Sequence, residues 1–188
     1  MRSGRATRSV QVKGLSRDKD AYQKSRIYGV LDAATFKTVV ESTPLVSIDL
    51  CLVFEGQLLM GLRQNEPLKG EWFTPGGRLL KNERWQDGLV RIARTELGLS
   101  VTPDDFELMG VWDHFYENSA VDKFISTHYV NLPHVRYLES QPELSLDPQH
   151  ATVRWVDVAS VIMDTDHQVY MREYASWIAE NHNTGVGQ

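Results

Sequence analysis

Residues 74–99 read TPGGRLLKNERWQDGLVRIARTELGL: two adjacent glycines at a turn, an arginine, then a stretch of helical spacing that closes on Glu96 and Gly98. Gly76 and Gly77 permit backbone conformations closed to other residues and leave carbonyl oxygens accessible. Mg²⁺ accepts backbone carbonyl and carboxylate oxygens. A carbonyl of the turn and the Glu96 carboxylate can therefore share one ion, and that ion can hold diphosphate oxygens. Arg78 adds a planar donor fork suited to phosphate. The same residues also describe an ordinary loop-to-helix turn with an exposed arginine. Asp49 interrupts an apolar run, which marks it as a buried or pocket acid. Cys51, the sole cysteine, sits in the apolar run LCLVF and reads as a buried, inert thiol; no internal disulfide is possible.

Acids are sparse on the helix. Positions 92, 95 and 96 lie three and four residues apart, so they share one helix face, and they hold isoleucine, threonine and glutamate. Three carboxylates there could gather several divalent ions. Glu96, with a backbone carbonyl and a further ligand, supports about one. Multi-metal attack of water on phosphorus is thereby disfavoured. Glu83 and Asp87 are the nearby replacement acids. Three readings stay open at this point: a weakened pyrophosphatase, a non-catalytic binder, and an enzyme whose reaction has moved off phosphorus.

The spacing of Gly77, Glu83, Arg91, Ala93, Glu96, Gly98 and Leu99 resembles the Nudix hydrolase signature. That signature is a glycine, five residues, a glutamate, seven residues, then Arg-Glu-apolar-x-Glu-Glu-x-Gly-apolar. The chain departs from it at Ile92 and Thr95, both glutamate in the signature. Over roughly residues 32–182 it is similar to the GDP-mannose mannosyl hydrolase branch of that family. The segments that carry the similarity are STPLVSIDL (42–50), GLRQNEPLKGEWFTPGGR (61–78), RTELGL (94–99), GVWDHFY (110–116), STHYV (126–130) and DPQHATVRW (147–155).

The resemblance implies a different bond cleaved. Members of the branch attack the anomeric carbon, so that water displaces GDP and the sugar emerges inverted. It implies GDP-mannose, and GDP-glucose with it, as substrate. Mg²⁺ is implied as cofactor, with Mn²⁺ able to substitute. Gly76, Glu96 and Gln149 are the implied metal ligands. His150 would be the general base, and its ordinary pKa near 6.5 suits that work. Arg63 and Arg78 would hold the diphosphate and stabilise departing GDP. Tyr129 would add a hydrogen bond to it. Asp49 would face the positive charge developing on the sugar ring, and His114 and Arg91 match further polar positions. A homodimer is implied as well. The alternatives are a conventional Nudix pyrophosphohydrolase attacking phosphorus and a non-catalytic nucleotide-sugar binding protein.

The elements that must position these groups follow from pattern. A short helix is expected over 32–41, then a hairpin made by PLVSIDLCLVF and QLLMGLRQN turning at Glu55 and Gly56. EPLKGEWFTPGG reads as loop, 84–97 as a helix stopped by Gly98, ELMGVWDHFYE and FISTHYVNLPHVRYL as strands, QPELSLDPQH as a polar loop and TVRWVDV as a strand. HQVYMREYASWIAENHN closes the chain as a helix with Val169, Tyr170, Tyr174, Trp177 and Ile178 as its apolar stripe. This order predicts an α/β fold, one mixed β-sheet covered by helices on both faces; the resemblance implies a Nudix-type α/β/α sandwich.

A length of 188 residues with 41% apolar and 24% charged residues fits one globular domain. The basic residues of 1–26 (Arg2, Arg5, Arg8, Lys13, Arg17, Lys19, Lys24 and Arg26) face Asp18 and Asp20, which predicts a flexible N-terminal arm ahead of a domain over 27–188. A net charge of −5 argues against a dedicated nucleic-acid binder. With no apolar run of about 18 residues and no secretory signal, the expectation is a cytoplasmic protein away from membranes, whose partner is a small nucleotide sugar.

Overall fold

The computed structural model describes residues 31–145 and 152–181. Helix α1 (Ala33–Ser42) starts at Asp32, whose carboxylate accepts the backbone N–H groups of Ala34 and Thr35 at 3.1 and 3.0 Å. This satisfies two of the donors that a helix start leaves open. Strand β1 (Leu45–Phe54) follows, then β2 (Gln57–Leu62), antiparallel to it. The expected turn is there. Glu55 and Gly56 have φ of 47° and 74°, the left-handed pair that a tight hairpin requires.

β1 is the spine of the sheet. It is buried on both faces, pairs antiparallel with β2 and with β4 (Gly76–Arg78), and runs parallel to β7 (Thr127–Tyr137) from Leu45 against Tyr129 to Val53 against Tyr137. The remaining strands are β3 (Trp72–Phe73), β5 (Glu107–Leu108), β6 (Trp112–Tyr116) and β8 (Val153–Asp157). The eight-stranded sheet runs β3-β2-β1-β7-β5, with β8 on β2 and β6 on β7.

Alternation along β1 divides the core into two layers. Ile48, Leu50 and Leu52 point to helix α2 (Trp85–Leu97), where they meet Leu89, Ile92, Ala93 and Leu97. Cys51 and Val53 point the other way, to α3 (Val158–Met163) and α4 (Val169–Asn181), among Met171, Tyr174, Ala175 and Ile178. The expected mixed sheet between two helical layers is therefore observed. Cys51 is fully buried and burial pushes its thiol well up, so it is inert. Among the described residues no helix is long and apolar enough to cross a membrane.

Several local expectations are corrected. The stretch read as loop carries β3 and β4, because its backbone pairs with β2 and β1. ELMGVWDHFYE is two strands, parted where Gly110 takes φ 144°. A short helix, α3, follows β8 where the sequence pattern suggests none; Asp157 caps it through the Ser160 N–H at 2.8 Å. The buried side of α4 is Met171, Tyr174, Ala175 and Ile178, whereas Val169 is exposed. The basic arm of 1–26 lies outside the described residues.

Candidate active site

The glycine turn is an extension of the sheet. β4 pairs Gly76 with Asp49, Gly77 with Ile48 and Arg78 with Ser47. A Cβ on Gly76 would strike Asp49 Oδ1 and stand 2.7 Å from the Ile48 carbonyl oxygen, so only glycine fits. Gly98 ends α2 at φ 70°, with its N–H on the Ala93 and Arg94 carbonyls, and so fixes where Glu96 falls.

These elements surround a cavity of about 570 Å³. Asp49, Arg63, Gly76, Arg78, Glu96, His114 and Tyr129, all singled out in the sequence, line it, and Arg91 does too. They come from β1, the residue just after β2, β4, α2, β6 and β7. Gln149 and His150 lie outside the described residues. The described chain resumes at Thr152, whose carbonyl accepts the Leu62 N–H at 2.9 Å, one residue before Arg63.

The cationic side is built around two ion pairs and one ring contact. Arg91 donates to both oxygens of Glu83, at 2.7 and 2.8 Å, and to the Arg78 carbonyl at 2.8 Å. Leu80 N–H also donates to Glu83, at 2.9 Å. Burial alone would raise the Glu83 carboxyl, but the Arg91 hydrogen bonds overcome it and hold it below its ordinary value. Glu83 and Arg91 thus brace the glycine turn from beneath. The Arg78 guanidinium lies 3.9 Å from the Phe36 ring centroid, a stabilising cation–π placement. Burial lowers its pKa, and the guanidinium keeps its charge as arginines in proteins do. Arg63 Nε donates to the Pro67 carbonyl at 2.9 Å, which ties it to the loop over the cavity. Lys37 on α1 meets Asp122 at 2.7 Å, so α1 joins the 117–126 loop at the rim.

Beside the glycine turn stands a buried polar cluster. Asp49 Oδ2 accepts from Asn131 Nδ2 at 2.6 Å and from the Tyr174 hydroxyl at 2.9 Å. His114 Nε2 lies 3.2 Å from that hydroxyl, and its Nδ1 lies 3.3 Å from both Asn131 Nδ2 and the Tyr116 hydroxyl. The His114 ring stacks on Tyr170 at 3.8 Å. Burial draws its pKa down to about 4, so it is neutral at neutral pH and offers no positive charge to a phosphate. Burial likewise raises the phenols of Tyr129 and Tyr116.

Ile92 and Thr95 part company in space. Ile92 is fully buried in the core under β1, while Thr95 lies on the exposed side of α2. Glu96, 9% exposed, is the acid that α2 brings to the cavity. Among the described residues no group of three or more His, Cys, Asp or Glu side chains is placed to hold a metal ion. The Gly76 backbone and the Glu96 carboxylate, two hard oxygen donors on one cavity, fit a single Mg²⁺ that needs further ligands.

Reasoning from sequence missed Phe36, Tyr116, Asn131 and Tyr174. Asn131 carried a signal, a polar residue inside an apolar strand like Asp49. Tyr174 carried none, because a tyrosine on an apolar helix stripe reads as packing.

The NUDIX domain family model matches residues 44–178. The low-salt glycan biosynthesis protein Agl8 of Haloferax volcanii is 40% identical over 119 residues, which span 63% of this chain and 74% of that protein. Among solved structures, a MutT NUDIX hydrolase from Burkholderia pseudomallei superposes with a TM-score of 0.59 at 20% identity, covering 73% of this chain and 99% of its own. The NUDIX domain of Shewanella oneidensis NrtR, complexed with ADP ribose, gives 0.58 at 16% identity over 81% and 99%.

Proposed function

The chain belongs to the Nudix hydrolase family, and from that premise we propose that it is a Mg²⁺-dependent hydrolase of GDP-mannose that cleaves at the sugar carbon. Water forms a bond to the anomeric carbon from one face. The bond from that carbon to the β-phosphate oxygen breaks, GDP leaves with the electron pair, and the sugar is released inverted. A proton of the attacking water passes to His150.

The observation that carries this reading is the fate of the helix acids. Ile92 is core and Thr95 is exposed, so Glu96 stands at the cavity without the two acids beside it that the family signature carries. Bound through Gly76, Glu96 and Gln149, Mg²⁺ would supply charge neutralisation for the diphosphate. Arg63 and Arg78 hold the same diphosphate and meet the charge that grows as GDP departs. Tyr129 donates to it. Asp49, beside Gly76 on the adjoining strand, faces the cationic character of the sugar ring. His150 supports the assignment by position in the chain: it lies two residues before Thr152, which is hydrogen-bonded beside Arg63.

Attack on phosphorus would need replacement carboxylates. Glu83, one candidate, has its oxygens on Arg91 and Leu80, which favours the sugar carbon. Hydrolysis in ¹⁸O water decides the matter. The label is expected in free mannose, with unlabelled GDP beside it. Label in phosphate, or GMP plus mannose 1-phosphate as products, would overturn the proposal.

A further inference from the structure

Asp49 is held by side chains from a strand and a helix far apart in the chain. We propose that Tyr174 and Asn131 are positioning residues for the hydrolysis, locking the Asp49 carboxylate so that Oδ2 faces the protein and Oδ1 faces the glycine turn. The inference rests on the reading of Asp49 as the acid that faces the sugar.

The donor order leaves little choice. Asn131 Nδ2 and the Tyr174 hydroxyl both lie within hydrogen-bond range of Asp49 Oδ2, at 2.6 and 2.9 Å. A carboxylate can only accept, so both must donate. The Tyr174 oxygen, its proton spent, accepts from His114 Nε2–H at 3.2 Å. That fixes the imidazole tautomer: Nδ1 is the acceptor, and Asn131 Nδ2 lies 3.3 Å from it with a second proton. A flipped Asn131 amide would put its oxygen against Asp49 Oδ2 and leave Nδ1 without that donor. The Tyr116 hydroxyl stands at the same 3.3 Å from Nδ1 as a second donor, and a neutral His114 agrees with its depressed pKa.

Burial makes this arrangement specific. Asp49 is 6% exposed, Asn131 2%, His114 1% and Tyr174 0%. Tyr174 packs on Trp112 at 4.5 Å and edge-on to Phe73 at 6.2 Å, and a phenylalanine would pack equally well there. Its hydroxyl is needed only for Asp49 and His114. Oδ1 meanwhile lies against Gly76, which lines the cavity together with Asp49.

The test is a double-mutant cycle on the full chain. Tyr174→Phe keeps the ring and removes the hydroxyl. If it acts through Asp49, kcat for GDP-mannose falls about 10-fold to 100-fold, the cost of misplacing a catalytic group, while KM and GDP affinity stay put. In the Asp49→Asn background the same substitution has no further effect on kcat. Unchanged kcat in Tyr174→Phe, or losses that multiply in the double variant, overturns the inference. Ring ¹⁵N spectra of His114 in the unaltered protein give a readout independent of turnover. The proton on Nε2 is expected, and a proton on Nδ1 sinks the network whatever the activity. A protein that shows the Nε2–H tautomer but never releases GDP from GDP-mannose sinks the functional reading and, with it, the positioning role.

Discussion

Asp49 Oδ1 occupies the space that a side chain on Gly76 would need. The central strand and the glycine turn are thus closely fitted to each other beside the cavity that both line.

Gly76→Ala tests the fit. The new methyl must displace Asp49 or the Ile48 backbone, and overpacking of this kind costs about 1–3 kcal/mol. A fall in melting temperature of roughly 2–4 °C per kcal/mol is expected, together with loss of turnover and weaker Mg²⁺ binding by titration calorimetry. An alanine variant with ordinary turnover would show that the close approach has no bearing on the site.

Restoring the two signature glutamates separates the roles of their positions. Ile92→Glu puts a carboxylate into the core under β1 and is expected to cost about 3 kcal/mol or more. Thr95→Glu lands on an exposed face and is expected to change stability by about 0.5 kcal/mol at most. Urea denaturation reads both. Equal costs would mean that Ile92 does not have the packing role its burial indicates.

His150→Gln is expected to lower kcat by about 10²–10⁴, the usual worth of a general base, with little change in GDP affinity. Glu96→Gln is expected instead to raise the Mg²⁺ concentration needed for half-maximal rate. Steady-state kinetics at several Mg²⁺ concentrations distinguishes the two patterns, and a His150→Gln enzyme of normal kcat would remove it from the mechanism.

His114 makes stability depend on pH. Its folded pKa of about 4 lies below the ordinary 6.5, so between these values the unfolded chain binds a proton that the folded protein does not. Stability is therefore full above pH 6.5 and falls as the pH drops toward 4. The gap corresponds to about 3 kcal/mol. Glu83, also depressed, adds a loss that starts below its ordinary 4.5. Unfolding free energies measured from pH 7 to 4 should decline, and His114→Gln should flatten the upper part of that slope. An unchanged slope in the variant would assign the decline elsewhere.

Local patterns in the chain carried much of the architecture. The β1–β2 hairpin, α2 stopped by Gly98, and a mixed sheet between helices follow from turn residues, helix stops and alternation, and these act between near neighbours. Short strands β3 and β4 were not legible, because only pairing with β1 and β2 makes their glycine-rich and proline-rich segments into strands. The same division holds at the site. The signature spacing marked Glu83, Arg91 and Glu96, the glycine turn marked Gly76 and Arg78, and Asp49 stood out as an acid in an apolar run. That Glu83 serves Arg91, that Ile92 is core while Thr95 is exposed, and that Tyr174 reaches Asp49 across 125 positions was decided only in three dimensions. Hydrogen bonds between distant segments leave no period in a sequence, since nothing local distinguishes a tyrosine that packs from one that also donates.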